Sequence, residues 1–251
     1  MSVFGPLPSQ YMNRYKQCLV SLADGTMMSV CVDRYLSMSN KTSRAYDDLI
    51  RALSEKTATP RYSLSYNLDG RRVHSGCFKM PFMGKGSPFD IRQALLAASW
   101  CGLVDRLNLQ RYCDENMGLD CNGFASNLFR LDRNTSVESF DDRANRLDSA
   151  QKIGTRTVLI WVNSTGEGKS HTHVAVVESV TSVDLDRRVV DLQIVHAEGS
   201  RRGLNQKRFF KRFAIDEAGR IFFDAEDGIP TFSSQKRIYA VPPPNNSIPN
   251  D

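Results

Sequence analysis

Cys121 sits in the run Leu119-Asp120-Cys121-Asn122-Gly123-Phe124, and three of the four histidines in the chain, His171, His173 and His196, follow it in two short apolar segments. A thiol and imidazoles are the ingredients of nucleophilic acyl transfer, in which a thiolate attacks a carbonyl carbon and an imidazole carries the proton. Cys121 to Arg130 reads as a short helix, with Phe124 and Leu128 one turn apart and Phe129 beside them. At the first turn of such a helix, unpaired backbone N–H groups and the positive end of the helix dipole stabilise a thiolate. The same N–H groups, that of Cys121 among them, can stabilise an oxyanion forming beside the sulfur. Gly123 is expected to keep the adjacent surface open to a substrate.

A lone cysteine on a helix is ordinarily a buried structural residue, and the histidines change that weighting. His173 opens the run Val174-Ala175-Val176-Val177, and His196 closes Leu192-Gln193-Ile194-Val195. Two adjacent strands would bring the rings together, with His173 as the base and His196 fixing its tautomer and orientation.

The elements that must position these groups are legible in outline. Ser39 to Lys56 has a helical period through Tyr46, Leu49, Ile50 and Leu53, with Ser39 or Asn40 as its cap. Arg61–Asn67 and Arg72–Phe78 flank Asp69-Gly70 as a hairpin. Gly84, Gly86, Ser87 and Pro88 punctuate the chain, and a helix is expected from Pro88 to Cys101 with Ile91, Ala94, Leu95 and Ala98 on one face. Strands then dominate: Thr157–Val162, His173–Val180, Val189–Ala197, Arg208–Ile215, Arg220–Phe223 and Arg237–Val241. A helix followed by an antiparallel run of strands predicts an α+β layer architecture. The expected division is a region over residues 1–85 that covers or shapes the cleft, a catalytic domain over 86–245, and a Pro/Asn-rich tail over 246–251.

Composition narrows the function classes. The 251 residues are 41% hydrophobic and 24% charged, as in ordinary globular chains, and no apolar run reaches the about 18 residues that a membrane span needs. Met1 to Gln10 lack the charged start and apolar core of a secretory signal, so action outside the cell would need another export route. The net charge of +5 favours anionic surroundings weakly. Cys18, Cys31, Cys77, Cys101, Cys113 and Cys121 show no CxxC pair or repeated spacing. A mostly reduced set with one special member is the simpler expectation than a zinc ribbon or a disulfide scaffold.

Taken in order, Asp120-Cys121-Asn122-Gly123-Phe124, Thr157-Val158-Leu159-Ile160-Trp161, His173-Val174-Ala175-Val176-Val177 and Ile194-Val195-His196-Ala197 resemble the NlpC-type cell-wall endopeptidases, the bacterial branch of the papain-like superfamily. The resemblance covers roughly residues 115 to 200, with a closing strand through Ile238-Tyr239-Ala240-Val241. It implies a papain-like fold with the nucleophile at the N-terminus of a helix packed on an antiparallel sheet. It assigns Cys121 as nucleophile, His173 as base and His196 as the third polar member. Asp120, Asn122, Gly123 and His171 would contact substrate or form the site rim, and Tyr112 is the candidate for the tyrosine that precedes the cysteine in that family. Asn122 stands where the family usually has serine, Thr181 to Arg188 lengthens the loop between the histidine strands, and residues 1–85 carry no motif of the family.

The resemblance implies a cysteine amidase acting on the peptide stem of bacterial peptidoglycan, at a bond involving D-glutamate or diaminopimelate, with no metal or organic cofactor. A wall hydrolase without a signal peptide or wall-anchoring repeats resembles an antibacterial effector, made in the cytoplasm and delivered by a specialised secretion machine to the periplasm or wall of a target cell. An immunity protein would then plug its cleft. A phage lysis enzyme has the same signs, as does a papain-like hydrolase acting on a host protein. Three further readings compete. His171, His173 and His196 could hold a catalytic zinc, with Cys121 as a fourth ligand. The fold could be an inactive binding module. Arg201, Arg202, Lys207, Arg208, Lys211 and Arg212, interleaved with Phe209, Phe210 and Phe213, could track nucleic acid, although a strand with buried aromatics and a solvated basic face is the expected explanation.

Overall fold

The structure, a computed structural model, describes residues 5–37, 43–68, 70–132, 135–163, 171–199, 203–226 and 235–244. They form two compact units, each assembled from separate stretches of chain. A helical unit takes Met12–Asn127 and Ala197–Leu204; a barrel unit takes the described parts of Met1–Tyr11, Leu128–His196 and Asn205–Asp251. The Gly84–Pro88 punctuation lies inside the first of these.

In chain order, α1 (Pro8–Lys16) precedes a hairpin of β1 (Cys18–Ser21) and β2 (Met27–Val30), then α2 (Arg44–Thr57) and a second hairpin of β3 (Ser65–Leu68) and β4 (Arg71–His74). The helices α3 (Ser75–Lys79), α4 (Pro88–Trp100), α5 (Leu109–Asn116) and α6 (Cys121–Leu128) follow. In α2 the expected apolar face is the buried one: Tyr46, Leu49, Ile50 and Leu53. Its cap is Ser43, whose hydroxyl accepts from the Tyr46 N–H at 3.1 Å; Ser39 and Asn40 lie outside the described residues. The start of α4 is fixed by a capping box between Ser87 and Asp90, with Pro88 in the first turn, and Ile91, Ala94, Leu95 and Ala98 are all buried.

The second hairpin is shorter than expected. Gly70 adopts φ +79° at its turn, but β4 ends at His74 instead of running to Phe78. His74 Nδ1 accepts from the Gly76 N–H at 3.2 Å and starts α3, which buries Phe78 completely. A side-chain cap overrode the strand propensity there. The core of the helical unit is knit by aromatic contacts: Tyr15 with Phe124 at 6.4 Å, and Tyr46, Phe82 and Tyr112 in succession at 6.1 and 6.4 Å.

The barrel unit comprises β5 (Val158–Asn163), β6 (His171–Asp184), β7 (Val189–Glu198), β8 (Gly203–Ile215), β9 (Ile221–Asp224) and β10 (Lys236–Val241), although the first residues of β8 and the last of β7 belong to the helical unit. The strands hydrogen-bond in the order β10-β5-β6-β7-β8-β9 and close on themselves, β9 pairing back to β10. Closure removes the unpaired edges that an open sheet would present. Leu159, Ala175, Val177, Leu192, Ile194 and Phe223 are among the side chains filling the interior. In β6 the intervening Val174 and Val176 are buried as well, so this strand is covered on both faces, as its unbroken apolar run requires.

Two expectations change in this unit. Thr181 to Arg188 is not a long loop: β6 continues to Asp184, pairing Ser182 with Asp191 and Asp184 with Val189, and only a tight turn remains. Along β8, Phe209 and Phe213 belong to the barrel core while Phe210 is exposed. Arg208, which leans on the Phe210 ring, is held by Asp191 through bonds of 2.8 and 2.6 Å. Most of the aromatic interleaving is therefore interior packing; Arg201 and Arg202 lie outside the described residues. No helix among the described residues is long and apolar enough to cross a membrane.

Candidate active site

Cys121 is the first residue of α6 and is 5% exposed. The preceding Asp120 caps the helix, its Oδ1 accepting from the Gly123 N–H at 2.6 Å. Its Oδ2 receives Lys85 Nζ at 2.9 Å, and the same ammonium donates to Asn122 Oδ1. The backbone arrives just as tightly: Asp120 N–H donates to Gly84 O at 2.9 Å, and Asn127 Nδ2 donates to Lys85 O at 3.0 Å. Burial pushes the Asp120 carboxyl above its ordinary range, against the pull of Lys85 and of the Gly123 N–H.

Gly123 does not open a surface. It is buried, and a Cβ built there would lie 2.1 Å from Gly84 O and 2.8 Å from Asp120 Oδ1. The glycine is required by the close passage of the Gly84 backbone, itself at φ +76°. Asp120 and Asn122 likewise work on the helix start and on Lys85. These contacts hold the first turn of α6 in place around Cys121.

Tyr35 is the neighbour that sequence reasoning missed. Residues 34–36 run beside Leu119, with Leu36 N–H donating to Leu119 O at 3.0 Å and Leu119 N–H donating to Arg34 O at 2.9 Å. The Tyr35 phenol is pushed above its ordinary range, first by burial and then by the negative charge available to Cys121 and Asp120. No local signal marks this residue, because an irregular strand-like segment far upstream delivers it.

In the barrel unit, His173 and His196 stand on β6 and β7 with matching parity to Ala175, Val177, Leu192 and Ile194, whose side chains face the core. The register that sets Val176 against Val195 and Val177 against Ile194 puts His196 diagonally across from His173. The rings meet: Nε2 of His173 and Nδ1 of His196 are 2.7 Å apart, with ring centroids at 5.0 Å. Trp161, paired with His173 across β5 and β6, sets its indole edge-on to that imidazole at 4.8 Å. With Nε2 committed to His196, Nδ1 is the atom through which His173 would act as a base. That requires a proton on Nε2, accepted by His196 Nδ1, so His196 must carry its own proton on Nε2.

His171 serves differently from expectation. It is buried, and its Nε2 lies 2.7 Å from Asp141 Oδ2, so it is not a rim residue. Asp141 also takes a forked pair of bonds from Arg146 at 2.8 and 2.5 Å, and the Arg146 guanidinium lies 3.6 Å over the Tyr239 ring. Burial opposes ionisation of Asp141, but the bonds from Arg146 and His171 outweigh it and hold the carboxyl below its usual range. This commits His171 to a structural ion cluster and withdraws it from a three-histidine zinc set. Among the described residues, no group of three or more His, Cys, Asp and Glu side chains is arranged to hold a metal ion.

Tyr112 lies on α5 with its ring edge-on to Phe82. Burial pushes its phenol strongly upward, and its hydroxyl has no hydrogen-bond partner among the described residues. It is a packing residue of the helical core. No disulfide joins the six cysteines. Burial pushes Cys18 and Cys101 up to about 11 and Cys113 up to about 12, which keeps these three as inert thiols at neutral pH. The sequence-selected residues therefore fall into two groups: Asp120, Cys121, Asn122 and Gly123 together in the helical unit, and His173 with His196 in the barrel unit.

No family model, curated protein or solved structure matches this chain.

Proposed function

We propose that the chain is a cysteine amide hydrolase of papain-like design, with Cys121 as nucleophile, His173 as general base and His196 as the residue that orients it. The observation that carries this reading is the 2.7 Å contact between His173 Nε2 and His196 Nδ1, which holds the two imidazoles together and, with the proton on His173 Nε2, leaves His173 Nδ1 as the basic atom. The capped helix start at Cys121 supports it, because the first N–H groups of α6 supply the positive potential that a thiolate and an oxyanion require. The resemblance to NlpC-type endopeptidases calls for an α-helix opened by a cysteine and for histidines on neighbouring antiparallel strands, which are the features that support this reading. It calls for an antiparallel sheet, where this chain has a closed six-stranded barrel.

In this mechanism His173 Nδ1 takes the thiol proton and the Cys121 sulfur attacks the amide carbon. The tetrahedral oxyanion is held by the backbone N–H of Cys121. The leaving amine collects the proton from His173, and water then hydrolyses the thioester. The substrate in this proposal is the peptide stem of bacterial peptidoglycan, and the biological setting is an exported antibacterial effector countered by an immunity protein.

The test is mass spectrometry of purified peptidoglycan incubated with the protein, with Cys121→Ala, and with the protein plus a chelator. New stem-peptide fragments that vanish in the variant and persist with chelator support the proposal and identify the bond. Fragments that vanish with chelator overturn the metal-free mechanism. Intact wall throughout, from folded protein, removes peptidoglycan as substrate.

A further inference from the structure

The Lys85 ammonium is bonded to the residues on both sides of the proposed nucleophile. It meets Asp120 Oδ2 at 2.9 Å and also Asn122 Oδ1, and its side chain is only 15% exposed. A lysine pays considerable rotamer entropy to be held this way, and an Asp–Lys pair is not needed to cap a helix: Asp120 Oδ1 already does so alone. What the lysine changes is the charge around Cys121. Without it, the sulfur would sit beside a buried carboxylate, and a neighbouring negative charge disfavours a thiolate.

We propose that Lys85 is a positioning and charge-setting residue for Cys121: its ammonium offsets Asp120, locks the first turn of α6 through Asn122, and so favours the thiolate. Several described groups of the helical unit bear on this sulfur. Lys85 and the N-terminus of α6 favour the thiolate, whereas Asp120 opposes it; Tyr35, neutral at physiological pH, adds a polar neighbour without net charge. This inference rests on the proposal that Cys121 is the nucleophile, but its consequence is an ionisation that can be read without any substrate.

The opposed charges predict opposed effects. Lys85→Met should raise the ionisation midpoint of Cys121 by about one pH unit, and Asp120→Asn, which keeps a cap acceptor, should lower it. Lys85→Arg, which retains the charge, should restore most of the wild-type value. The measurement is the rate of iodoacetamide alkylation at Cys121 against pH, resolved from the other five cysteines by peptide mapping, in the full chain with its fold checked by circular dichroism. A loosened helix start would move both variants the same way. Shifts of like sign, or a Lys85→Met midpoint coincident with wild type, overturn the proposal. Should Lys85→Met fail to fold, Asp120→Asn decides alone: a midpoint at or above wild type overturns it. Opposed shifts in a protein that hydrolyses no amide would sustain the role of Lys85 and remove the hydrolase reading, so the two failures are separable.

Discussion

Nε2 of His173 and Nδ1 of His196 are 2.7 Å apart, on neighbouring strands of a closed barrel. The contact couples the protonation of the two rings, because one of these nitrogens must donate and the other accept. Replacing His196 by alanine removes the partner of His173 Nε2 and lets the other tautomer compete. Turnover on stem peptides should fall well below wild type, with partial recovery in His196→Gln, whose amide oxygen can still accept from His173 Nε2. His173→Ala should cost about 100-fold or more, the usual contribution of a positioned base. Equal activity of wild type and His196→Ala would remove His196 from the machinery.

A base must reach its nucleophile. If His173 pairs with the Cys121 sulfur in the active state, an imidazolium beside it stabilises the thiolate, and His173→Ala should raise the alkylation midpoint of Cys121. The check is the same pH titration of iodoacetamide labelling. An unchanged midpoint would mean that the two side chains act independently.

The cluster of His171, Asp141, Arg146 and Tyr239 should matter for stability. Asp141 is 1% exposed at its side chain, so Asp141→Ala strands a buried arginine and should cost about 3 kcal/mol in urea unfolding. The pH dependence follows from its depressed carboxyl. A folded value below the unfolded one contributes stability that is complete above the ordinary carboxylate range and lost as pH falls through the folded value. Wild type should therefore lose stability below about pH 4 more steeply than Asp141→Asn, whose curve lacks this component. Parallel curves for the two proteins would contradict it.

Gly123 and Gly84 form a backbone crossing that admits no side chain. Gly123→Ala places its Cβ against Gly84 O and should destabilise by about 1–3 kcal/mol. Gly84→Ala adds a left-handed backbone at φ +76° to a clash with Leu36 O at 1.9 Å, and should cost at least as much. Thermal unfolding of both variants measures this. Wild-type stability with altered activity would instead restore Gly123 to a role in substrate access.

The sequence by itself determined the helices with a clear period and the strands with continuous apolar runs. Tyr46, Leu49, Ile50 and Leu53 are buried as their spacing predicts, and each of β5 to β10 overlaps a strand-like run read from the sequence. It also singled out Cys121 as a helix start and placed His173 and His196 on adjacent strands, because side-chain parity and hairpin register are local properties. Only the tertiary structure decided the rest. That β9 returns to β10 and closes the barrel, that Tyr35 runs beside Leu119, that Lys85 bonds both neighbours of Cys121, and that His171 belongs to Asp141 are pairings between segments far apart in the chain. Short elements such as β1 and β2 carry too few residues to show a period, and a lysine or tyrosine reads alike whether solvated or committed. Local periodicity reports which face of an element is apolar; which polar group meets which is fixed only when the chain packs and each buried donor and acceptor must find its partner.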